Sequence, residues 1–237
     1  MTYARAFFDL QLELARRVSA LSGVPFTRAV LDYTNLYIRF GLGRDFDAAN
    51  PIWQTYIAGL SQAHDPGEWT ARFHTTRPQA IDPPALVASF GCFSYGRLDD
   101  ERLRLHFHDA EQSGCSPLAT ECRARRVAEL AALLAHAKRE GTIRVVGASW
   151  LYNLEAYRRL FPPSYLSTAQ PLHGRFRHMP LWGQFLDRHG AVRESQAREF
   201  RDRLKRQSSL ESLDDCFPLQ VLRLEAPVED FSAWYGV

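Results

Sequence analysis

The first 75 residues repeat their apolar side chains at the spacing of α-helices, in three segments separated by glycine and proline. The third segment begins with Asn50, a residue suited to capping a helix, and Pro51, a residue favoured at the first helical position. A stretch with three prolines over residues 75–84 ends the pattern. We therefore predict an N-terminal helical lobe over residues 1–75.

From residue 85 onward apolar residues recur at every second position, as they do in β-strands. Residues 86–95 and 102–108 are separated by a polar turn, which predicts a β-hairpin. In the second of these strands Leu103, Leu105 and Phe107 alternate with arginine and histidine. One face of that strand is therefore apolar and the other is polar.

Helix and strand patterns alternate through the rest of the core. A helix from Ser116 to Gly141 is followed by an apolar strand over 142–149, a helix around 154–161 and a strand near 165–170. Short connections between such elements indicate parallel strands joined by crossover helices. We expect an α/β protein whose mixed sheet combines a hairpin with parallel strands, in one compact domain over residues 85–237 that follows the helical lobe.

Composition and charge exclude several classes of function. The chain has 237 residues, and its 29 basic and 27 acidic side chains give a net charge of +2, which is too balanced for a nucleic-acid binder. No apolar run approaches the length of a membrane span, and Asp9 and Glu13 interrupt the segment that would be apolar in a signal peptide. We therefore expect a cytoplasmic protein that binds neither nucleic acid nor membrane.

Arginine makes up 27 of the 29 basic residues, since Lys138 and Lys205 are the only lysines. Guanidinium groups bind carboxylate and phosphate through paired hydrogen bonds, which favours an anionic small-molecule substrate. A GC-rich genome, in which arginine codons replace lysine codons, explains the same count without any substrate.

Polar side chains follow the ends of three predicted strands. His106 and His108 close the first strand, Ser149 closes the second and Gln170 closes the third. Because ligands bind beyond the carboxyl ends of parallel strands in open α/β sheets, we expect these ends to meet over one crevice. The candidate substrate-binding residues around this crevice are Arg104, Trp150, Gln170, His173 and Arg175.

The polar face of strand 102–108 allows three interpretations. It faces solvent at a sheet edge, it lines a cavity covered by the N-terminal helices, or it supplies metal ligands. His106 and His108, taken with Cys115 and Cys122, have a spacing that matches no common structural zinc site, so we predict no metal. The four cysteines include no C-x-x-C pair and predict no disulfide framework.

The tripeptide GAS at 147–149 follows a strand and precedes a helix, as the serine of a nucleophile elbow does. Leu151 stands where the elbow has its second glycine. Ser149 is therefore either a nucleophile, with His173 or His178 as its base, or a helix cap or ligand-binding hydroxyl. The first interpretation predicts a serine-dependent hydrolase or transferase.

Residues 103–168 resemble the central part of the GNAT acyltransferase superfamily. They read as a strand, a helix, a strand that ends near Asn153, and a short helix with Tyr157. The resemblance covers about a quarter of the chain. The signature Arg/Gln-x-x-Gly-x-Gly/Ala of the superfamily is missing, and residues 112–116 approximate it poorly. The opening helices also depart from the superfamily's order, which begins with a strand.

This resemblance implies acyl-CoA as the cofactor. Its pyrophosphate would lie at the N-terminus of the helix that follows Gly114 and Ser116, where backbone amides bind phosphate. Asn153 would be a further cofactor-binding residue. The resemblance also implies that the thioester lies in a splay between the two flanking strands.

Acyl transfer to an amine needs a base for the ammonium proton and an acid for the departing thiolate. The candidate bases are His106 and His108, and the candidate acids are Tyr152 and Tyr157. Two other functions stay open at this point. One is the serine-dependent enzyme that uses Ser149, and the other is a protein without catalytic activity whose arginines hold an anion.

Overall fold

Five α-helices precede the sheet, which confirms the predicted order of helices before strands. The computed structural model of the protein describes residues 3–77, 86–111, 114 and 116–237. The five helices are α1 (Arg5–Ser22), α2 (Phe26–Tyr33), α3 (Leu36–Arg39), α4 (Pro51–Gln62) and α5 (Pro66–Thr75).

Local sequence explains where α4 and α5 begin. The Asn50 side chain accepts a hydrogen bond from the Ile52 N–H (3.0 Å), and the Asp65 side chain accepts one from the Glu68 N–H (3.0 Å). Proline occupies the first position of both helices. A side-chain acceptor at the cap satisfies N–H groups that have no partner within the helix.

The second apolar segment of the lobe, which predicts one helix over residues 26–40, forms two helices because the chain breaks between α2 and α3. The Thr34 hydroxyl donates to the Val30 carbonyl (2.6 Å), and the Asn35 N–H donates to the Gln11 side chain (3.0 Å). Such side-chain bonds compete with the helical pattern. Asn35, which lies in this break, and Arg39, which ends α3, are both buried.

Among the described residues, six strands form one mixed sheet, in the order β1-β2-β3-β4-β6-β5. This confirms the predicted α/β class and the combination of a hairpin with parallel strands. The predicted strand over residues 86–95 is divided by a turn at Gly91, which has a positive φ of 57°. The strands are β1 (Ala88–Phe90), β2 (Phe93–Arg97), β3 (Arg102–Phe107), β4 (Arg144–Ser149), β5 (Gln170–Pro171) and β6 (Leu222–Pro227).

Strands β3 and β4 are parallel, as predicted, but the expected third parallel neighbour is wrong. Tyr165 lies in a short helix, and β5 pairs with β6 in antiparallel orientation. Strand β6 also pairs antiparallel with β4, so it lies between β4 and β5. Because β4 and β5 are both antiparallel to β6, they run in the same direction without touching each other.

The structure divides into two compact units, each formed by two segments of the chain. One unit comprises Met1–Asp82 and Gly174–Leu219, and the other comprises Pro83–His173 and Gln220–Val237. The sequence pattern predicts a single boundary near residue 80. It does not predict that residues 174–219 return to the first unit, because periodicity does not reveal which unit an amphipathic helix packs against. None of the described helices combines the length and apolarity needed to cross a lipid bilayer.

The remaining helices are shared between the two units. The first unit contains α9 (Met179–Gly183) and α10 (Glu194–Arg206), and the second contains α6 (Arg123–Arg139), α7 (Glu155–Arg158), α8 (Pro163–Leu166) and α11 (Val228–Tyr235). In the first unit, Arg201 of α10 forms an ion pair with Glu13 of α1 (2.9 Å). In the second unit, α6 and α11 pack against one face of the sheet.

Candidate active site

The parallel strands β3 and β4 stop pairing before either of them ends. Three pairs of residues join the two strands, beginning with Arg102 opposite Arg144 and ending with Arg104 opposite Val146. Beyond this point β3 still pairs with β2 on its other side, and β4 still pairs with β6. No residue pair between β3 and β4 follows Arg104 and Val146, and we call the space between 105–107 and 147–149 the interstrand gap.

The interstrand gap lies at the carboxyl ends of two parallel strands inside a six-stranded sheet. Backbone N–H and C=O groups are strong hydrogen-bonding groups that rarely stay unpaired when buried. Unjoined edges at this position can bind an extended ligand through its own amide groups, as an added strand does. This arrangement agrees with the general rule that α/β sheets bind ligands beyond the carboxyl ends of their strands.

Aromatic side chains close the interstrand gap on the face of the sheet that packs against α6. The Tyr157 ring meets the Phe107 ring edge-on, with centroids 5.4 Å apart, and meets the Tyr152 ring in the same way at 5.1 Å. Phe107 ends β3, and the Tyr152 hydroxyl lies over Gly147 of β4. Tyr157 therefore lies between the ends of the two separating strands.

A pair of tyrosine hydroxyls occupies the space that the missing side chain of Gly147 leaves open. The hydroxyl oxygens of Tyr152 and Tyr165 are 2.8 Å apart, and a Cβ atom on Gly147 would overlap both of them. Burial is the largest cause that raises the pKa of Tyr152, Tyr157 and Tyr165 above the ordinary tyrosine value. All three phenols are therefore neutral near pH 7 and able to donate hydrogen bonds.

Tyr165 is a site residue that the apolar pattern of the chain does not predict. The pattern near 165–170 predicts a strand, but Pro163 occupies the first position of α8. Proline at the first helical position is a start signal for a helix, and it could have placed Tyr165 correctly.

The predicted bases lie on the opposite face of the sheet from the tyrosines. Leu103 and Leu105 belong to the same buried core as Tyr152 and Tyr157, and side chains alternate along a strand. Arg104 and His106 therefore project to the other face, where both are half-buried and each has a partner. The expectation that all candidate residues share one crevice is thus wrong, since the sheet separates them except at the interstrand gap.

His108 lies beyond the end of β3 and is exposed. Its backbone N–H donates to the Cys92 carbonyl (2.9 Å), which continues the pairing toward the turn between β1 and β2. His108 follows the strand, whereas His106 lies within β3 beside the interstrand gap, so His106 is the better placed candidate for a base that must reach a bound substrate.

Ser149 caps the 3₁₀ turn over Trp150–Asn153. Its hydroxyl oxygen accepts a hydrogen bond from the Leu151 N–H (3.1 Å), and its backbone is extended, with φ −159° and ψ 152°. A nucleophile elbow instead holds its serine on a sharp, strained turn. Within the described part of the chain, Ser149 forms no hydrogen bond with a histidine.

Asn153 is exposed, and its side-chain amide joins two backbone segments. It donates to the Trp150 carbonyl (2.7 Å) and to the Gln220 carbonyl (2.8 Å). Trp150 itself is buried. These bonds fasten the turn after β4 to the segment that leads into β6, so the amide nitrogen of Asn153 is already engaged.

Gln170 lies in the strand on the far side of β6 from the interstrand gap, His173 follows that strand, and Arg175 is not part of the unit that contains the sheet. Gln170 is exposed on β5 and pairs with Arg223, so β6 separates it from β4 by a distance of roughly 10 Å. His173 is exposed and ends the same chain segment. Arg175 belongs to the other compact unit.

The helix expected to begin at Ser116 begins later. A turn in which the Ala119 N–H donates to the Ser116 carbonyl (3.0 Å) precedes a 3₁₀ turn over Thr120–Cys122, and α6 begins at Arg123. Gly114, with a φ of 77°, and Ser116 are both exposed before this start. Residues 112, 113 and 115, which belong to the predicted phosphate loop, lie outside the described residues.

Guanidinium groups surround the start of α6. Arg123 and Arg125 are exposed in its first turn, and Arg159 donates to the Leu118 carbonyl (3.0 Å) just before it. The positive dipole at a helix start favours anions, although the N–H of Arg123 already donates to the Thr120 carbonyl. Added arginines make this end of α6 suited to a phosphate.

A buried ion cluster fixes the start of α6. Arg126 donates to Glu111 (2.9 Å) and Glu129 (2.7 Å), and it also donates to the Cys92 sulfur. Glu129 accepts a further hydrogen bond from the Cys92 N–H (3.0 Å). A Cβ atom on Gly91 would overlap the Glu129 carboxylate, so this turn requires glycine. The cluster ties α6 to the turn between β1 and β2.

Among the residues that the structure describes, no three histidine, cysteine or acidic side chains are grouped closely enough to hold a metal ion. Cys115, one of the four residues considered for zinc, lies outside those residues. Comparison with known proteins adds no relative: no family model, no curated protein and no solved structure matches this chain significantly.

Proposed function

We propose that this protein transfers an acyl group from acyl-CoA to an amine, with the reacting thioester in the interstrand gap. The observation that carries the proposal is the separation of β3 and β4 after three pairs, at the carboxyl ends of two parallel strands joined by α6. The same region resembles the GNAT acyltransferase superfamily, in which a splay between two strands receives the thioester.

The residues present fit acyl-CoA along its length. Its extended arm contains amide groups, which the unjoined edges of 105–107 and 147–149 can pair with. Its phosphates suit the first turn of α6, where Arg123 and Arg125 are exposed and Gly114 and Ser116 lie just before. When bound, acyl-CoA supplies an acyl group activated as a thioester.

Tyr157 is the proposed acid for the departing thiolate. An ordinary tyrosine is already neutral near pH 7, and burial raises the pKa of Tyr157 further; its ring lies between the ends of β3 and β4. A neutral phenol beside the interstrand gap can donate its proton to sulfur as the carbon–sulfur bond breaks.

His106 is the proposed base for the amine. It lies on β3 at the level of the interstrand gap and projects to the face opposite Tyr157. Acid and base on opposite faces suit a reaction in which the donor and the acceptor approach the gap from different sides. Arg104, two residues earlier on the same face, is the proposed contact for an acidic group of the acceptor.

Two measurements test this proposal: binding of CoA to the protein, and transfer of an acyl group from acetyl-CoA to an amine. Addition of CoA should raise the Tm, and a concentration of 100 times Kd should add about 2.7 kcal/mol to the free energy of unfolding. Arg123→Ala should reduce this shift. Arg139→Ala, which removes an exposed arginine at the other end of α6, is the matched control and should not reduce it.

Transfer itself is measured as thiol release from acetyl-CoA in the presence of a panel of amines. No shift in Tm at millimolar CoA would contradict the proposal. A shift without thiol release for any amine would instead favour the alternative function, a protein that binds an anion without catalysis.

A further inference from the structure

Arg39 is a buried cation of the first unit that has no counter-charge. It ends α3 and is only 5% exposed. Among the described residues no carboxylate forms an ion pair with it, and its one side-chain hydrogen bond runs from Nη1 to the Tyr3 hydroxyl. The Nε atom is buried and has no hydrogen-bond partner. The guanidinium therefore lacks both a negative charge and hydrogen-bond acceptors.

Two aromatic rings hold the guanidinium in place. Its Cζ atom lies 4.4 Å from the centre of the Tyr3 ring and 5.3 Å from the centre of the Phe7 ring. The faces of such rings attract cations, which offsets part of the penalty of burial. Neither ring supplies the negative charge or the planar pair of oxygens that a guanidinium binds best. Burial accordingly lowers the pKa of Arg39 to about 10.

His74, on α5, is a second buried polar side chain that contacts Tyr3. Its ring centroid lies 5.3 Å from that of Tyr3, and it is only 2% exposed. Its Nδ1 atom is also buried without a hydrogen-bond partner. Burial, followed by the charge of Arg39, lowers the pKa of His74 to about 4, so the imidazole is neutral at pH 7. A cation and an imidazole, each with an unsatisfied nitrogen, thus contact the same tyrosine ring.

One helical turn away, the contact between α1 and the start of α3 contains two further unsatisfied polar atoms. Gln11 follows Phe7 by one turn, and Asn35 precedes Arg39 by one turn, so each pair shares a face. Gln11 Oε1 accepts a hydrogen bond from the Asn35 N–H (3.0 Å), but Gln11 Nε2 and Asn35 Oδ1 are buried without partners. Buried polar groups are nearly always hydrogen-bonded in native proteins. Their concentration here indicates a site for a polar ligand.

We propose that Arg39 is the binding site for a small carboxylate and that Tyr3 covers this site in the unliganded protein. A carboxylate presents two oxygens to the paired N–H groups of a guanidinium, and such charge-assisted bonds are strong. It displaces the Tyr3 hydroxyl from Nη1 and brings one negative charge to one buried cation. Tyr3 is the residue that moves, because it precedes α1 and is half-buried.

The number of charges favours a carboxylate over a phosphate. Phosphate brings more than one negative charge at pH 7, and the excess is unfavourable among buried aromatic rings. All the residues of this site belong to the first unit, so the inference goes beyond acyl transfer in the second unit and does not depend on it.

The first test compares Arg39→Met with Arg177→Met. Arg177, in the same unit, also lies over an aromatic ring, with its Cζ atom 4.7 Å from the centre of the Phe46 ring, but it pairs with the Asp32 carboxylate. Sodium acetate should raise the Tm of the unmodified protein above its value in equal sodium chloride, with half-saturation at roughly millimolar concentration. Arg39→Met should abolish this rise, and Arg177→Met should retain it. A rise that persists in Arg39→Met, or no rise in the unmodified protein, would overturn the proposal.

The same variants without acetate separate a binding role of Arg39 from a structural one. A buried cation without a counter-charge destabilises the unliganded fold, whereas Arg177 is paired. In sodium chloride, Arg39→Met should therefore raise the Tm by roughly 2–4 °C, while Arg177→Met should lower it. A greater loss of Tm in Arg39→Met than in Arg177→Met would assign Arg39 to packing alone and contradict the proposal.

Nuclear magnetic resonance locates the ligand in the unmodified protein, so that no variant has to fold. Acetate should shift the ring resonances of Tyr3 and His74. Acetamide, which has a similar shape without the charge, should leave them unmoved at equal concentration, and inorganic phosphate should shift them less than acetate does. Equal shifts with acetate and acetamide, or larger shifts with phosphate, would refute the assignment to a carboxylate.

Tyr3→Phe tests whether the ligand displaces the tyrosine hydroxyl. The substitution keeps the ring but removes the hydroxyl that competes for Nη1 of Arg39. It should strengthen acetate binding by roughly 2–10-fold, the effect of one neutral hydrogen bond. Weaker binding in Tyr3→Phe would show that the hydroxyl contacts the ligand instead of giving way to it, and would overturn the proposed displacement.

Discussion

Gly147 and Tyr152 meet so closely that no side chain fits between them: a Cβ atom on the glycine would overlap the hydroxyl oxygen of the tyrosine. The neighbouring Tyr165 hydroxyl blocks the same space. Overpacking of a well-packed core destabilises proteins by about 1–3 kcal/mol. We expect Gly147→Ala to lower the free energy of unfolding by this amount, as measured by urea denaturation.

The control for Gly147→Ala is the same substitution in a protein that also carries Tyr152→Phe and Tyr165→Phe. With both hydroxyls removed, the new methyl group meets less crowding, so Gly147→Ala should lower the free energy of unfolding by a smaller amount. The difference between the two backgrounds should exceed roughly 0.5 kcal/mol, which is the error within which the effects of independent sites add. An identical cost in the two backgrounds would mean that the hydroxyls are not what limits residue 147.

Arg126 is the central cation of a buried cluster, and its loss should be costly. Its side chain is only 2% exposed, and its partners Glu111 and Glu129 are 5% and 14% exposed. Removing one member of a buried ion pair leaves an uncompensated charge and typically lowers the free energy of unfolding by about 3–5 kcal/mol. We expect a loss of this size for Arg126→Met. Thermal or urea unfolding measures it.

Arg125 provides the matched comparison. It pairs with the same Glu111 at 2.5 Å, but its side chain is 56% exposed. Exposed ion pairs contribute about 0–1 kcal/mol, so Arg125→Met should be nearly neutral. Similar losses for the two substitutions would contradict the assignment of Arg126 as the buried member that fixes the start of α6.

His74 should make the stability of the protein depend on pH. Burial, together with the nearby Arg39 guanidinium, lowers the pKa of His74 from 6.5 to about 4. The unfolded chain therefore binds a proton between pH 6.5 and 4 that the folded chain does not. The free energy of unfolding should fall by up to about 3 kcal/mol as the pH drops through this window.

The measurement is urea denaturation at several pH values between 7 and 4, for the unmodified protein and for His74→Leu. Subtracting the two curves removes the contribution of the carboxyl groups, because these are common to both proteins. The difference should change most between pH 6.5 and 4 and be constant above pH 7. A difference that does not vary with pH would show that His74 ionises equally in the folded and unfolded states.

Ser149→Ala tests whether this serine is a cap or a nucleophile. Loss of the hydrogen bond from the Leu151 N–H should lower the free energy of unfolding by about 1 kcal/mol. Acyl transfer should continue at the unmodified rate. Covalent labelling of the unmodified protein by a fluorophosphonate, abolished in Ser149→Ala, is the result that would restore the serine-dependent hydrolase.

Elements with local signals follow from the sequence alone. The cap and proline at the start of α4, the alternation of apolar and polar residues along β3, and the terminal helix α11 are visible in neighbouring residues. The buried tyrosines illustrate the limit of such signals. The resemblance to an acyltransferase superfamily indicates Tyr152 and Tyr157, whereas the local pattern places Tyr165, the hydrogen-bond partner of Tyr152, in a strand instead of in α8.

Strand neighbours were decided by contacts between distant parts of the chain. Nothing near residue 170 indicates that residues 222–227 pair between β4 and β5, because the partner of a strand depends on residues far away in sequence. The same applies to the interstrand gap, which depends on how far two strands stay paired. Periodicity and caps act over a few residues and are readable from the chain, but register, separation and burial arise only when remote segments pack together.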